Sequence, residues 1–583
     1  MRSTVAALAG VASLSLIVGL AVAAPAGAAT ASAAATSMAA ASPLPGAVGT
    51  AVISGRAHAV ARSVSIASIS RTKARSPVAA GPARGPLGRD GRLAGSALPA
   101  RHGSAGGRRP AGLRPAGSRP AGRAAAGPNT GLATGPAARA GRAGTSTLPR
   151  SAASAAITHA TSSSPSDFRG TTEGSSDCTA CATPDVSAAV NGSELAETTN
   201  SVLQVFSKST AATMCSVSLS SLLGAVSGFS HPRIQYDSAY KRFSLVADSV
   251  PGSAYDVPVQ YLATSQADDA CGAWWVYSVV FPSSSLYPLG ATLDYPSLGQ
   301  DNTSILSSTN NYSYAGGYLG SSAYAMPKSA AYTGAGFSVT TYAVAFSTAP
   351  VTVAGIPTYS TTKTYWLASV PGTGYDLYVM PTSPAGAITL KAVIKAPFTA
   401  PVRQVNQPGT SQTLNPLDGR IQSSPVQDGS YVWFTNDVND SGYPTVLYGA
   451  IDVATNQAET ALAYHGSGSD DFNPSITVTD AGDNTDYIWL NWAYTVTSAG
   501  IPVSDTAAGI APGDGVPTVA DADLTLVTGS STSAISTFGG YSSAEIDPAG
   551  TSSCPAGLTA LTAQEYFTSS GTWTTQLART TFC

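Results

Sequence analysis

Short runs of alternating polar and apolar residues, separated by turn-forming residues, dominate the chain from about residue 200 onward. Between His231 and Met326 three such blocks follow one another, HPRIQYDSAYKRFSLVADS, VQYLATSQADDACGAWWVYSVVF and LDYPSLGQDNTSILSSTNNY, and GGYLGSSAYAMPK closes the series. Alternation with period two is typical of half-buried β-strands, and clusters of Gly, Pro, Asn and Asp mark the turns between them. The pattern predicts an all-β fold with short connections.

Similar runs continue to the end of the chain, for example GSYVWFTND, TVLYGAID and DYIWLNWAYTV. Only residues 186–227 and 558–565 leave room for a turn or two of helix. The strand-like region, residues 185–583, is longer than one ordinary sandwich requires. At roughly 40–50 residues per four-stranded blade it predicts a β-propeller of about seven blades, with stacked sandwiches as the alternative.

The N-terminal part has a different composition and charge. Residues 1–170 carry 19 Lys and Arg against two acids, whereas the remainder carries 11 basic and 31 acidic residues. Residues 1–28 have the basic start, apolar stretch and small-residue cleavage site of a signal peptide. Residues 29–170 are rich in Ala, Gly, Arg and Pro, so we expect a disordered linker or a cationic arm on an anionic polymer. No later segment is apolar enough to span a membrane.

Six cysteines follow the linker: Cys178, Cys181, Cys215, Cys271, Cys554 and Cys583. An even number in an exported chain predicts three disulfides, although six cysteines allow 15 pairings. We favour Cys215 with Cys271 and Cys554 with Cys583. Cys178 and Cys181 form a CTAC motif, but its polar surroundings argue against a redox dithiol.

The order of aromatic and turn motifs resembles a group of secreted bacterial β-propeller proteins, many of them described as sialidase-like or exported. The resemblance covers roughly residues 231–495. Its matching positions are Tyr236, Asp237, Arg242, Phe243, Ser265, Asp268, Gly272, Trp274, Tyr277, Asp294, Tyr295, Pro296, Leu298, Gly299 and Asn310. It implies a propeller fold far more than an activity. The chain departs from the group at DDACGAWW, where Cys271 precedes the turn glycine.

Catalytic motifs are weak. A sialidase needs three arginines on the substrate carboxylate, yet only five arginines follow residue 170: Arg233, Arg242, Arg403, Arg420 and Arg579. The GSGSD sequence at 466–470 lacks the last glycine of a nucleophile elbow. No cofactor is predicted. The acid-rich segments 436–442, 468–471 and 480–486 are the candidates for structural calcium, although turn formation by Asp and Asn is the favoured explanation for them.

Four residues are the candidate ligand-binding residues: Asp294, Asn310, Asp418 and Arg420. Asp294 and Asn310 either face the central channel or cap backbone groups, and Arg420 beside Asp418 indicates an ion pair or a ligand clamp. We expect a monomer, secreted or associated with the cell wall, that binds a glycan, a wall polymer or a protein without chemistry. The alternative is an extracellular glycoside hydrolase or lyase at the channel mouth. Export argues against a nucleic acid partner.

Overall fold

The computed structural model describes residues 52–67, 69, 157–159, 167–174, 184–224, 229–344, 350–352, 354–355, 362–381, 386–479, 487–512, 514–520, 522–533 and 538–583. All of them belong to one unit, Gly49–Cys583. Their secondary structure is almost entirely strand. The short helices are α1 (Leu219–Leu223), α2 (Lys328–Ala331) and the 3-10 turn Thr497–Ala499. No helix in these ranges is long and apolar enough to cross a membrane.

Four-stranded antiparallel meanders follow one another along the first half of the described chain. The innermost strand of each comes first in sequence. Blade 1 contains β4 (Ser187–Val190), β5 (Glu194–Thr198), β6 (Val202–Ser207) and β7 (Thr213–Ser218). Blade 2 contains β8 (Phe229–Asp237), β9 (Arg242–Ser249), β10 (Val259–Ser265) and β11 (Ala273–Val280). Blade 3 contains β12 (Thr292–Gln300), β13 (Ser304–Tyr312), β14 (Tyr318–Pro327) and β15 (Phe337–Ala343).

The second half repeats the same plan with small additions. Blade 4 contains β16 (Pro350–Thr352), β18 (Lys363–Val370), β19 (Gly374–Pro381) and β20 (Thr389–Lys395). Blade 5 contains β23 (Val426–Asp428), β24 (Tyr431–Asp440), β25 (Tyr443–Asp452) and β26 (Gln457–Tyr464). The short strands β17 (Ala354–Gly355) and β30 (Val519–Ala520) add to its edges in parallel. β21 (Val405–Asn406) and β22 (Thr413–Leu414) form a separate hairpin.

The last two blades close the ring. Blade 6 contains β27 (Asp470–Val478), β28 (Ile488–Val496), β29 (Ile501–Ile510) and β31 (Leu524–Val527). Blade 7 contains β32 (Ser543–Ile546), β33 (Thr559–Phe567) and β34 (Trp573–Thr581). Its outer edge is completed from the N-terminal side by β2 (Thr158–His159) and β3 (Asp167–Thr172), which both pair with β34. The described residues therefore form a β-propeller of seven blades.

Hydrophobic clusters fill the space between successive blades, and neighbouring side chains of one strand enter different clusters. Trp433 packs between blades 5 and 6, whereas Phe434 packs between blades 4 and 5. Ile305 and Leu306 likewise enter the clusters on the two sides of blade 3. The expectation of half-buried strands is therefore wrong for the blade interiors, because each blade packs between two others. All nine residues of β13 are buried.

The N-terminal boundary needs correction. Residues 52–65 lie in the predicted linker, yet Val52–Ser65 forms strand β1, which pairs with β11 and β15 and joins blades 2 and 3 into one nine-stranded sheet. The linker expectation also fails at β2 and β3, so the propeller begins before residue 185. Residues 1–28 and the rest of the predicted linker lie outside the described residues, apart from a few positions beside these strands. Of the two predicted helical segments, 186–227 contains α1, but 558–565 lies in and beside β33.

Two disulfides have the expected partners. Cys215 in β7 is bonded to Cys271, which joins blade 1 to the β10–β11 turn of blade 2. Cys554 is bonded to Cys583, which fixes the C-terminus to blade 7. Cys178 and Cys181 lie outside the described residues.

Candidate ligand-binding site at the channel mouth

Five blades have a residue with an unusual backbone conformation in the first half of the inner strand or in the segment that leads to it. Asp185, His231, Tyr295, Leu417 and Asn473 all have positive φ angles, between 46° and 64°. Side chains other than glycine rarely occupy this left-handed region, and strain of this kind is often found at functional sites. The common conformation brings these residues to one end of the central channel.

Proline follows three of these residues, in the sequences HPRI (231–234), YPSL (295–298) and NPSI (473–476). The pairing register of each inner strand shifts at this point, between Ser230 and Arg233 in β8 and equivalently in β12 and β27. A bulge re-aims the side chains beside it. The four-residue pattern X-Pro-(Ser/Arg)-(Ile/Leu) therefore marks these positions in the sequence. It was not predicted as a repeat.

The His231 imidazole lies between two carboxylates. Its Nε2 is 3.5 Å from Asp185 Oδ2, and its Nδ1 is 3.2 Å from Asp294 Oδ1. Asp185 is held in place, because the Gly540 N–H and the Asn200 amide donate to its two oxygens at 2.5 and 2.7 Å. His231 thus links blade 2 to the carboxylates of blades 1 and 3.

Two arginines lie against tyrosine rings in the same cluster. The Arg420 guanidinium is 4.6 Å from the ring centre of Tyr295, and that of Arg233 is 4.4 Å from the ring centre of Tyr541. The Tyr295 hydroxyl donates to the Gly540 carbonyl at 2.5 Å. Burial raises the pKa of both tyrosines well above its ordinary value, so both hydroxyls stay protonated. The arginines therefore rest on neutral rings.

Asp418 and Arg420 form a bidentate pair. Arg420 donates through Nε and Nη2 to the two oxygens of Asp418, each at 2.8 Å. Burial acts to raise the pKa of Asp418, but the positive charge and hydrogen bonds of Arg420 outweigh this and lower it. Asp418 is therefore ionised at neutral pH.

The side chains of this cluster differ in exposure. Asp418, Asp294 and His231 are 45%, 26% and 25% exposed, whereas Arg420 is 4% exposed. A molecule at the mouth would meet the carboxylates, the imidazole and Tyr318 first, because the arginines lie beneath them. We call Asp185, His231, Asp294, Tyr295, Asp418, Arg420 and Tyr541 the mouth cluster.

The structure brings three of the four candidate residues together. Asp294, Asp418 and Arg420 all belong to the mouth cluster. Asn310 does not, although it pairs with Asp294 across β12 and β13. It is buried, and its Oδ1 accepts a hydrogen bond from the Ser321 hydroxyl at 2.6 Å. The site also contains Asp185, His231 and Tyr541, which were not predicted from the sequence.

Side-chain hydrogen bonds join the inner strands below the mouth cluster. Each crosses from one blade to another, and together they link blades 7, 1, 2, 3, 5 and 6 in a circle. The donors and carbonyl acceptors are Ser543 to Ala188, Ser187 to Ile234, Gln235 to Gly299, Ser424 to Leu298, Ser423 to Pro474 and Ser542 to Asn473. These bonds hold the channel wall rigid.

A cavity of about 570 Å³ occupies the channel at the level of these bonds and beyond. Arg233 and Glu545 line it, together with apolar side chains such as Leu298, Ile476 and Ile546. Burial raises the pKa of Glu545 well above its ordinary value, although Arg233 and backbone N–H groups of Val190 and Tyr236 oppose the shift. A carboxyl group whose pKa is raised by burial therefore faces this cavity.

Protein groups surround the acids that we considered as calcium ligands. Asp437 is buried in β24 and accepts from the Asn473 N–H. Asp470 pairs with Arg403, and Asp471 accepts from the His465 N–H at 2.8 Å. Residues 480–486 lie outside the described residues. A further acidic group contains Glu194, Asp269 and Cys271, but the sulfur of Cys271 is already in a disulfide and offers no thiolate.

No family model matches the chain, and no curated protein matches it. Among solved structures it is similar to a Trypanosoma rangeli sialidase, with 10% identity and a TM-score of 0.33 over 61% of this chain and 54% of the sialidase. It is also similar to a Penicillium chrysogenum α-L-arabinanase, with 10% identity and a TM-score of 0.32 over 74% and 99% of the two chains. The WD40 domain of fission yeast SCAP matches with 7% identity and a TM-score of 0.29 over 67% and 81%. These values assign no activity.

Proposed function

We propose that the protein is an extracellular glycan-binding propeller whose ligand docks on the mouth cluster. The observation that carries this proposal is the position of Asp294 and Asp418. They come from different blades, Asp418 is paired with the arginine that lies over the Tyr295 ring, and both carboxylates are partly exposed. Partly exposed carboxylates on two blades can accept hydrogen bonds from the hydroxyl groups of a sugar.

The charges at the mouth favour a neutral sugar over an acidic one. Three carboxylates, Asp185, Asp294 and Asp418, face two arginines. Arg420 is nearly buried and engaged with Asp418, and Arg233 is buried on Tyr541. A sialidase requires three arginines on the substrate carboxylate, and only these two arginines lie among the described residues of the mouth. A ligand that offers hydroxyl groups meets the exposed carboxylates without electrostatic repulsion.

An extracellular location is part of the same proposal. Both disulfides join described cysteines in the expected pairs, and such bonds persist in oxidising compartments. The sequence of residues 1–28 supports export independently.

A glycan array probed with the full chain tests the proposal. A fragment starting at residue 170 would be unsuitable, because it lacks β1, β2 and part of β3. We expect Asp294→Asn and Asp418→Asn each to weaken binding of the bound glycan at least tenfold. Glu459→Gln is the matched control, since it removes one negative charge from β26 and should leave affinity unchanged. If the wild type binds no glycan, or the control loses as much affinity, the proposal is wrong.

One observation favours a glycoside hydrolase or lyase as the alternative. Glu545 faces the channel cavity with a raised pKa, which is the state that a general acid requires. A screen for release of reducing ends from polysaccharides tests this. Turnover by the wild type that is lost in Glu545→Gln, while glycan affinity is kept, would replace the binding-only function.

A further inference from the structure

A single strand covers the outer edges of two blades. Residues 58–65 of β1 pair antiparallel with residues 280–273 of β11, and residues 56–59 pair with residues 340–337 of β15. His58 and Ala59 are paired on both sides. Blades 2 and 3 already have four strands each, so β1 is an addition to both and occupies a slot between them.

Side chains on both faces of β1 anchor it in this slot. Ala57 and Ala59 are buried with Tyr277 and Phe337 between blades 2 and 3. Val64, and Ile66 just beyond the strand, are buried in the cluster between blades 1 and 2. Arg62 donates from Nη2 to the Leu222 carbonyl at 2.8 Å. Main-chain pairing with apolar pockets at alternate positions is the mode by which sheets bind an added strand.

The connection between β1 and the rest of the propeller is long. Between Ile69 and Ile157 the structure describes no residue, and 88 residue steps join the two (157 − 69 = 88). A segment of that length spans up to about 300 Å when extended, several times the size of a folded domain. Neither disulfide among the described cysteines includes a residue of β1. Neither the length of this connection nor a disulfide between the described cysteines therefore restricts β1 to the slot of its own chain.

We propose that the slot between β11 and β15 is a strand-acceptor site, and that residues 52–65 of a second copy of this chain fill it as the chain's own residues do. The partner is identified by its fit. Its small side chains occupy the positions of Ala57 and Ala59, and its backbone completes both edges. A connection of this length gives the chain's own strand only a limited effective concentration at the slot, so a neighbour's strand competes with it as the protein concentration rises. Copies would then be linked through their N-terminal segments, in contrast to the monomer expected from the sequence.

Val60 and Ser278 provide the test. They are register partners on the outward face, and both are exposed, so cysteine at either position should leave the fold intact. A full-length Val60→Cys chain and a full-length Ser278→Cys chain, with different affinity tags, are co-expressed, purified through both tags and oxidised. We expect a disulfide-linked heterodimer on a non-reducing gel.

Val60→Cys co-expressed with Val393→Cys is the matched control, because Val393 is 42% exposed on β20 of blade 4, outside the slot. At least fivefold more heterodimer from the Val60 and Ser278 pair supports the proposal. Heterodimer at the control level overturns it, provided that a chain carrying both Val60→Cys and Ser278→Cys forms its internal crosslink. Failure of that internal crosslink also overturns it, since β1 would then not occupy the slot.

Discussion

Glu197 in blade 1 accepts two hydrogen bonds from Thr171 in β3, one from the backbone N–H at 2.8 Å and one from the hydroxyl at 2.6 Å. The Thr575 hydroxyl of blade 7 donates to the other carboxylate oxygen. One buried side chain therefore ties the N-terminal strand β3 to the first and the last blade. Because β3 and β34 pair at the same place, this contact lies at the junction where the ring closes.

Replacing Glu197 tests that junction. Glu197→Ala removes the acceptor of the Thr171 N–H and leaves the hydroxyls of Thr171 and Thr575 only their longer bonds to Gln204 and to the Thr171 carbonyl. We expect a loss of about 2–3 kcal/mol in the free energy of unfolding. Glu197→Gln keeps one acceptor oxygen and should cost only about 1 kcal/mol. Denaturant unfolding of both variants measures the difference. A loss in Glu197→Gln as large as that in Glu197→Ala would contradict this, because it would show that one amide oxygen of the same side-chain volume does not replace the carboxylate as an acceptor.

The two disulfides should contribute comparably to stability. They close loops with sequence separations of 56 and 29 residues. Chain entropy then gives about 4 kcal/mol for Cys215–Cys271 and about 3.5 kcal/mol for Cys554–Cys583. We expect the double serine variant of either pair to have a lower Tm by calorimetry without reductant. An unchanged Tm in both would mean that the bonds do not form in the native protein.

The propeller could be predicted from the sequence because its strands are short and evenly spaced, but strand β1 could not. Its buried positions are occupied by Ala57, Ala59 and Val64 within a segment rich in alanine and arginine. These small apolar residues give the segment the same composition as the predicted linker around it. They form a strand because the edges of β11 and β15 pair with them. The local sequence of the segment does not reveal these partners.

Only part of the mouth cluster could be predicted from the sequence, for a similar reason. Asp294, Asp418 and Arg420 stand out as charged residues in turn motifs. Asp185 and Tyr541 come from the first and the last blade and meet only when the ring closes, through the Gly540 backbone. Sequence distance hides that contact, which spans more than 350 residues.

Asp294 and Asn310 are register partners, but their replacement should have different effects. Asn310→Ala removes a buried hydrogen bond and leaves the Ser321 hydroxyl only its contact with the Tyr318 hydroxyl, and we expect a loss of about 1–2 kcal/mol in stability. Asp294→Ala removes a partly exposed contact with His231 and should cost less than about 1 kcal/mol. Unfolding measurements and glycan binding on the same samples separate the roles. A large loss of stability in Asp294→Ala would make that carboxylate a structural residue.

Asp471 should make stability depend on pH. Burial raises its pKa from 3.8 to about 7, although hydrogen bonds from Ser469, the His465 N–H and Trp492 oppose the shift. The folded state keeps the proton that the unfolded state has lost, so the stabilisation is complete below pH 4 and is lost as the pH rises towards 7. The slope is up to about 1.4 kcal/mol per pH unit over that window.

Asp471→Asn is shaped like the protonated acid and does not titrate, so it isolates this contribution from those of the other buried acids. We expect the free energy of unfolding of the wild type, relative to the variant, to fall between pH 4 and pH 7 and to level off above it. Denaturant titrations at half-unit pH intervals measure that difference. A difference that stays constant across the window, or that grows in favour of the wild type as the pH rises, would show that Asp471 is ionised in the folded protein.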